Sequence, residues 1–212
     1  MLQIIFITIT LLSFILLYLG TGKDKRVLLF YLCWISATGV LSYAGFFQKT
    51  DTFPPRLLII IIPSVLYVIY FYRKLNTNNI NLNYLFAIHA LRLPVELCLF
   101  RLFIFKKIPV IMTFEGWNFD IIIGISALLL LCYSVFLKKK INDTFLKVWN
   151  VLGLIFLTII VITAILSVPS PFQKIAFDQP NIAILEFPFT FLPAIIVPTV
   201  LLAHLLYFKS GK

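Results

Sequence analysis

Tyr84-Leu-Phe-Ala-Ile-His-Ala-Leu-Arg-Leu-Pro-Val-Glu-Leu-Cys-Leu-Phe-Arg-Leu-Phe-Ile-Phe105 is apolar over the length of a membrane span, yet it holds His89, Arg92 and Glu96 in its interior. Crossing a hydrocarbon core takes ~20 apolar residues in a helix. A charge at its centre costs at least ~2.5–3.5 kcal/mol on insertion scales, so it is rarely kept without a partner or a role. The spacing i, i+3, i+7 puts the three side chains on one helix face. It predicts an Arg92–Glu96 ion pair pointing into a helix bundle. Two readings follow: a pair that fixes packing, or groups that line a pathway for substrate, ion or proton. Pro94 lacks an N–H and frees the carbonyl of Ala90 to accept from Arg92 or water. Arg101, on another face, reads as a side chain snorkelling to headgroups.

The rest of the chain has the same character. Of 212 residues, 61% are hydrophobic and 12% charged, with mean hydropathy +1.04. Soluble domains sit nearer ~45–50% apolar and ~25% charged. Seven stretches qualify as spans: 2–19, 27–47, 57–72, 84–105, 119–137, 146–167 and 187–208. Continuous apolar runs mean helices, because a membrane barrel would alternate over about ten residues. The expected fold is an all-α integral membrane protein, a single seven-transmembrane helix bundle over 1–212. The first span lacks a basic leader and a small-residue cleavage site, so it reads as a retained helix. Cys33, Cys98 and Cys132 all fall inside spans and read as small packed hydrophobes.

A net charge of +10 does not point to nucleic acid here, because the bases are spread over loops. Lys23, Lys25, Arg26, Arg73, Lys74, Lys138, Lys139, Lys140, Lys147, Lys209 and Lys212 fall at one end of the bundle. Lys49, Arg56, Lys106, Lys107 and Lys174 fall at the other. The positive-inside rule then places the N-terminus outside and the C-terminus in the cytoplasm.

Two connections at the outward end are rich in polar residues. In Phe114-Glu-Gly-Trp-Asn-Phe-Asp120, Gly116 suits a tight turn and Trp117 an interface belt. Asn118 suits a helix cap, and Asp120 complements a helix dipole. In Phe177-Asp-Gln-Pro-Asn181, Asp178 and Asn181 suit turn chemistry. The functional reading groups Glu115, Asn118, Asp120, Asp178, Gln179, Asn181 and Glu186 as the mouth of a cavity with His89, Arg92 and Glu96 at its floor. No calcium-loop or zinc spacing is present, and no metal or other cofactor is expected. His89 and His204 are the sole histidines and the one pair that a b-type haem would use. Pro188, Pro193 and Pro198 interrupt the last span, and broken membrane helices often line cavities. A retinal lysine, Gly-x-Ser-x-Gly, His-Glu-x-x-His and a phosphate loop are all missing from the sequence.

The segments His89–Glu96, Met112–Asp120 and Ser170–Asn181 together resemble an uncharacterised family of bacterial, Bacteroidota-type multi-pass inner-membrane proteins. The resemblance covers the second half of the chain. It implies a bacterial inner-membrane location and supplies no activity.

The function expected is small-ligand binding or transport through a polar cavity open to the outside, with Glu96 able to carry a proton. The alternatives are a membrane-embedded enzyme acting on a lipid-like substrate with His89 and Glu96 as acid and base, or an accessory or haem-carrying subunit. The expected partners are the bilayer and a small-molecule or lipid ligand, with a second copy or a partner subunit as further options.

Overall fold

The structure is a computed structural model and describes residues 1–138 and 141–211. Lys139, Lys140 and Lys212, counted above among the basic residues of one end, lie outside the described residues. Among those described, the chain is helical, with no strand. The helices are α1 (Leu2–Gly20), α2 (Lys25–Tyr43), α3 (Leu58–Lys74), α4 (Leu82–Ala90), α5 (Arg92–Ile104), α6 (Asp120–Phe136), α7 (Asp143–Ser167) and α8 (Val197–Ser210). Helices α4 and α5 are one rod broken at Leu91, so seven rods result, at the seven places the sequence indicates. Among the described residues, four stretches are long and apolar enough to cross a membrane: α1, α2, α7 and Leu192–Ser210.

Three boundaries depart from the sequence reading, each for a backbone reason. The expected helix 84–105 is interrupted because Pro94 cannot donate to Ala90, and helical bonding resumes with Val95 N–H to Leu91 O at 3.1 Å. The expected helix 27–47 ends at Tyr43, because Gly45 turns into the left-handed region at φ 70°. The expected helix 187–208 starts later and runs further. Phe187 to Thr190 form turns, Leu192–Ile196 form a π-helical turn, and α8 continues to Ser210. Pro193 and Pro198 remove the donors that the carbonyls of Phe189 and Ala194 would use in an α-helix, and the ladder widens around them.

The last rod is the post of the bundle. α8 packs on α1, α3, α4 and α7, and the π turn ahead of it packs on α1, α2 and α3. Large apolar side chains such as Ile4, Leu29, Val40, Leu66, Leu129 and Val148 face outward. Continuous exposed apolar surface is unusual for a soluble domain and suits contact with lipid.

The carbonyl that Pro198 leaves without an α-helical donor is not left bare. Ala194 O accepts from Trp34 Nε1 at 3.1 Å and Tyr67 OH at 3.2 Å, with Ser64 Oγ at 3.4 Å. Tyr31 OH and Thr199 Oγ1 bond at 2.8 Å one turn away, and Ser42 Oγ meets Thr190 Oγ1 at 2.7 Å. Side chains of α2 and α3 thereby replace the backbone donors that the prolines lack. At the opposite end, Asp24 caps α2 by accepting from Arg26 N–H at 2.8 Å. The Arg26 guanidinium beside it holds the Asp24 carboxyl below its ordinary value.

Two substitutions test this arrangement. Trp34→Phe and Tyr67→Phe should each lower the thermal midpoint of the detergent-solubilised chain, each by about 1 kcal/mol of stability. Together they should cost more or less than the sum, because they share one acceptor. Near-ultraviolet circular dichroism through the melt reads both.

Candidate functional site

The break between α4 and α5 places a polar cluster inside the bundle. Arg92 begins α5, and its side chain is 3% exposed. It forms its ion pair with Asp120, in the first turn of α6, and not with Glu96 as the spacing had predicted. The reason lies in the helix crossing. Gly124, one turn beyond Asp120 on α6, lies so close to α5 that a Cβ there would sit 2.6 Å from the backbone nitrogen of Leu93. That approach brings the start of α6 against the start of α5, and Asp120 reaches the guanidinium. Arg92 Nη1 also meets His204 Nε2 at 3.2 Å, and Nη2 lies 3.4 Å from the carbonyl of Gly153.

His204 extends the cluster from α8 to α7. An arginine can only donate, so His204 Nε2 accepts, and its protonated Nδ1 donates to Asn150 Oδ1 at 2.8 Å. Asn150 in turn donates to Leu146 O at 2.9 Å. Room for the imidazole comes from Gly153: a Cβ there would meet His204 Cε1 at 2.4 Å. His89 lies beside His204 with ring centroids 3.9 Å apart, and Trp149 closes on His89 edge-on at 5.3 Å. Trp149 Nε1 is held by Ser126 Oγ at 2.8 Å.

Glu96 sits one turn along α5 from Arg92 and is 2% exposed. Both of its oxygens accept from Asn118 Nδ2, each at 2.7 Å. The same Nδ2 lies 3.1 Å from Met112 O, and Asn118 Oδ1 receives Asp120 N–H at 3.1 Å. Asn118 was expected to cap the fifth helix. It lies one residue before the cap, and it joins Glu96, Asp120 and the 106–119 connection in one node. Gly116 makes that connection possible through space rather than through φ. A Cβ there would lie 2.5 Å from Val110 O and 2.6 Å from Ile111 Cα.

The remaining expected site residues stay apart. Glu115 and Asp178 are exposed at the surface. Glu186 pairs with Lys107 at 2.7 Å. Gln179 Nε2 donates to Phe103 O at 3.1 Å and Ile108 O at 2.5 Å. Asn181 is buried, its backbone N–H on Ser167 O at 2.8 Å. The 168–186 connection is thus strapped onto the 105–112 segment, also through Ile182 and Ala183 N–H to Lys107 O. It covers the loop-rich end instead of offering an open mouth of acids.

One string of polar groups results, running from Met112, Asn118 and Glu96 to Asp120 and Arg92, and on to His204, Asn150 and His89. One turn further along α8, Tyr207 OH donates to Asp143 Oδ1 at 3.0 Å, where the Asp143 side chain is half exposed. Arg92 Nε and His89 Nδ1 are buried and have no hydrogen-bond partner among the described residues. Such atoms cost ~1–3 kcal/mol each, and they mark where the cluster departs from a purely packed solution.

A haem between His89 and His204 does not fit. A porphyrin held by two axial imidazoles lies between their nitrogens, whereas these rings stack on each other, tilted 34°, with both His204 nitrogens engaged. Among the described residues, no group of three or more histidine, cysteine, aspartate and glutamate side chains is arranged to hold a metal ion.

Asn150, Gly153 and Met112 were not singled out from the sequence. Asn150 had a readable signal, as an amide in the middle of the 25-residue apolar helix α7. Gly153 and Met112 look like ordinary membrane residues until the helices are packed. No family model, no curated protein and no solved structure matches the chain.

The Arg92–Asp120 pair is open to a double-mutant cycle. Arg92→Gln or Asp120→Asn alone should cost ~3–5 kcal/mol, because each leaves a buried charge unpaired. The double variant should recover a good part of that loss, read as thermal midpoints of the detergent-solubilised chain. Gly153→Ala should also destabilise the chain, by about 1–3 kcal/mol, as His204 is driven from its place.

Proposed function

We propose that the chain is a multi-pass protein of a bacterial inner membrane, N-terminus outside, that binds a small ligand within the bundle and moves it or a proton through it. Glu96 is the working group, Asn118 positions it, and Arg92–Asp120 is the fixed charged floor beside it. The observation that carries this reading is the partnership of Glu96. The one arginine in the cluster is committed to Asp120, so among the described residues the buried Glu96 carboxyl is held by a neutral amide alone. A carboxyl so placed can gain and lose a proton without breaking an ion pair, which is what a transport site asks of an intramembrane acid. The polar string from Glu96 to His204, and the Tyr207–Asp143 pair near the basic end, support a path through the bundle. The Arg92–Asp120–His204–Asn150 portion, joined by its ion pair and hydrogen bonds, serves as the rigid part of the site and links four helices.

The test uses the full chain reconstituted into liposomes that contain a pH-sensitive dye, with an imposed potassium diffusion potential. Wild type should carry protons, and Glu96→Gln should reduce the flux by about tenfold or more. Infrared difference spectra between acidic and alkaline buffers should show, beside the bands of the exposed carboxyls, a protonated-carboxyl band that Glu96→Gln removes. Spectra that lose no carboxyl band on the substitution, or equal flux from both proteins, would overturn the assignment of Glu96.

A further inference from the structure

An apolar groove of about 240 Å³ lies between α3 and α7, with the last rod as its floor. Its walls include Ile61 and Val68 of α3, Leu157 and Ile165 of α7, and Leu201 of α8. Met112, reaching in from the 106–119 connection, also lines it. Among the described residues, Ser64 and Thr158 are the only polar ones in its lining, and no charged side chain takes part. The two helices that flank it turn Ile62, Leu66, Ile155 and Ile162 to the outside. The groove therefore opens on the surface that lipid would cover.

Met112 belongs to two places at once. Its side chain lines the groove, with Ser167 Oγ–H directed at Sδ, 3.5 Å away. Its carbonyl accepts from the same Asn118 Nδ2 that holds Glu96. The residue is the wall shared by the apolar groove and the Glu96–Asn118 node. Methionine is flexible and unbranched, which suits a wall that must yield. On the far side of Met112 from the groove stand an amide and a carboxyl. Both can bond a hydroxyl, as donor or acceptor. Among the described residues, no cation in the groove would receive a phosphate or carboxylate headgroup.

From this continuity we infer that the ligand of the Glu96 site is a single-chain, uncharged lipid with a hydroxyl head, of the fatty alcohol or monoacylglycerol class. It enters sideways from the bilayer, the tail occupies the α3–α7 groove, and the hydroxyl passes Met112 to bond Asn118 and Glu96. The inference rests on the reading of Glu96 as the working group and adds its ligand class and its entry route.

The probe is a monoacylglycerol carrying a diazirine in its chain, photolysed with the full-length protein in nanodiscs, with labelled peptides mapped by mass spectrometry. Label is expected on the α7 peptide bearing Leu157–Ile165 and on the segment containing Met112. Excess unlabelled monoacylglycerol should compete it away, and a diazirine-bearing diacyl phospholipid should label the groove at least about tenfold less. Ala164→Trp, which fills the groove, should abolish the label, and Val148→Trp, on the outer face of the same helix, should leave it intact. Glu96→Gln should keep the label on α7 but weaken competition by monoacylglycerol more than competition by an alkane of equal length. Equal labelling by the phospholipid, or a label indifferent to Ala164→Trp, would overturn the inference while the proton flux and the Glu96 carboxyl band still stood. Equal flux from wild type and Glu96→Gln, or no carboxyl band lost on that substitution, with groove labelling retained, would overturn the Glu96 assignment instead.

Discussion

The Arg92–Asp120 pair is the constraint around which the interior is arranged. Moving a charge of this kind from water into a low-dielectric interior costs several kcal/mol per ion, and the pair is sustained only where further hydrogen bonds complete it. Here the completing groups come from three other elements: the imidazole of His204 on α8, the carbonyl of Gly153 on α7, and Asn118, which bonds the Asp120 backbone just ahead of α6. Glycines set the distances. Gly124 lets α6 approach α5, and Gly153 gives His204 its place. The electrostatics thus depend on helix packing, and the packing depends on two missing side chains.

Committing Arg92 in this way sets the chemistry of its neighbours. Glu96 is left to the amide of Asn118, and Asn118 ties it to the carbonyl of Met112. A rigid ionic pair and a carboxyl held only by an amide therefore lie side by side on one helix. That division suits a membrane site in which part of the polar interior must stay fixed while another part changes its protonation or its ligand. The strap formed by residues 168–186 closes the loop-rich end above it, through Gln179, Asn181, Ile182 and the Lys107–Glu186 pair.

The prolines of the last rod set a second problem with a similar answer. A backbone carbonyl without a donor is costly away from water, yet Pro198 sits in the centre of the bundle. Trp34, Ser64 and Tyr67 supply donors from α2 and α3, and the floor of the apolar groove is the same irregular stretch. The irregularity and the groove come together: regular α-helix through this region would not need those neighbours, nor shape that floor.

The sequence by itself determined the all-helical character of the molecule, its seven rods and the identity of most of the cluster. Apolar runs of membrane length leave the backbone little alternative to helix. His89, Arg92, Glu96, Asn118 and Asp120 were conspicuous as polar groups inside or beside such runs. The missing donor of Pro94 is a local fact too, but the sequence reads 84–105 as one helix, and the break at Leu91 belongs to the structure. The tertiary structure alone decided who partners whom. Spacing along one helix favoured Arg92 with Glu96, but the side chain that reaches the guanidinium belongs to α6. That choice follows from an interhelical distance set by Gly124, which no periodicity encodes. Asn150, Gly153 and Met112 acquire their roles only across helices. The acids Glu115, Asp178 and Glu186, equally visible in the sequence, turn to the surface or to Lys107 for the same reason. Local sequence fixes the course of a membrane helix, whereas the partner of a buried charge depends on which other helix comes within reach.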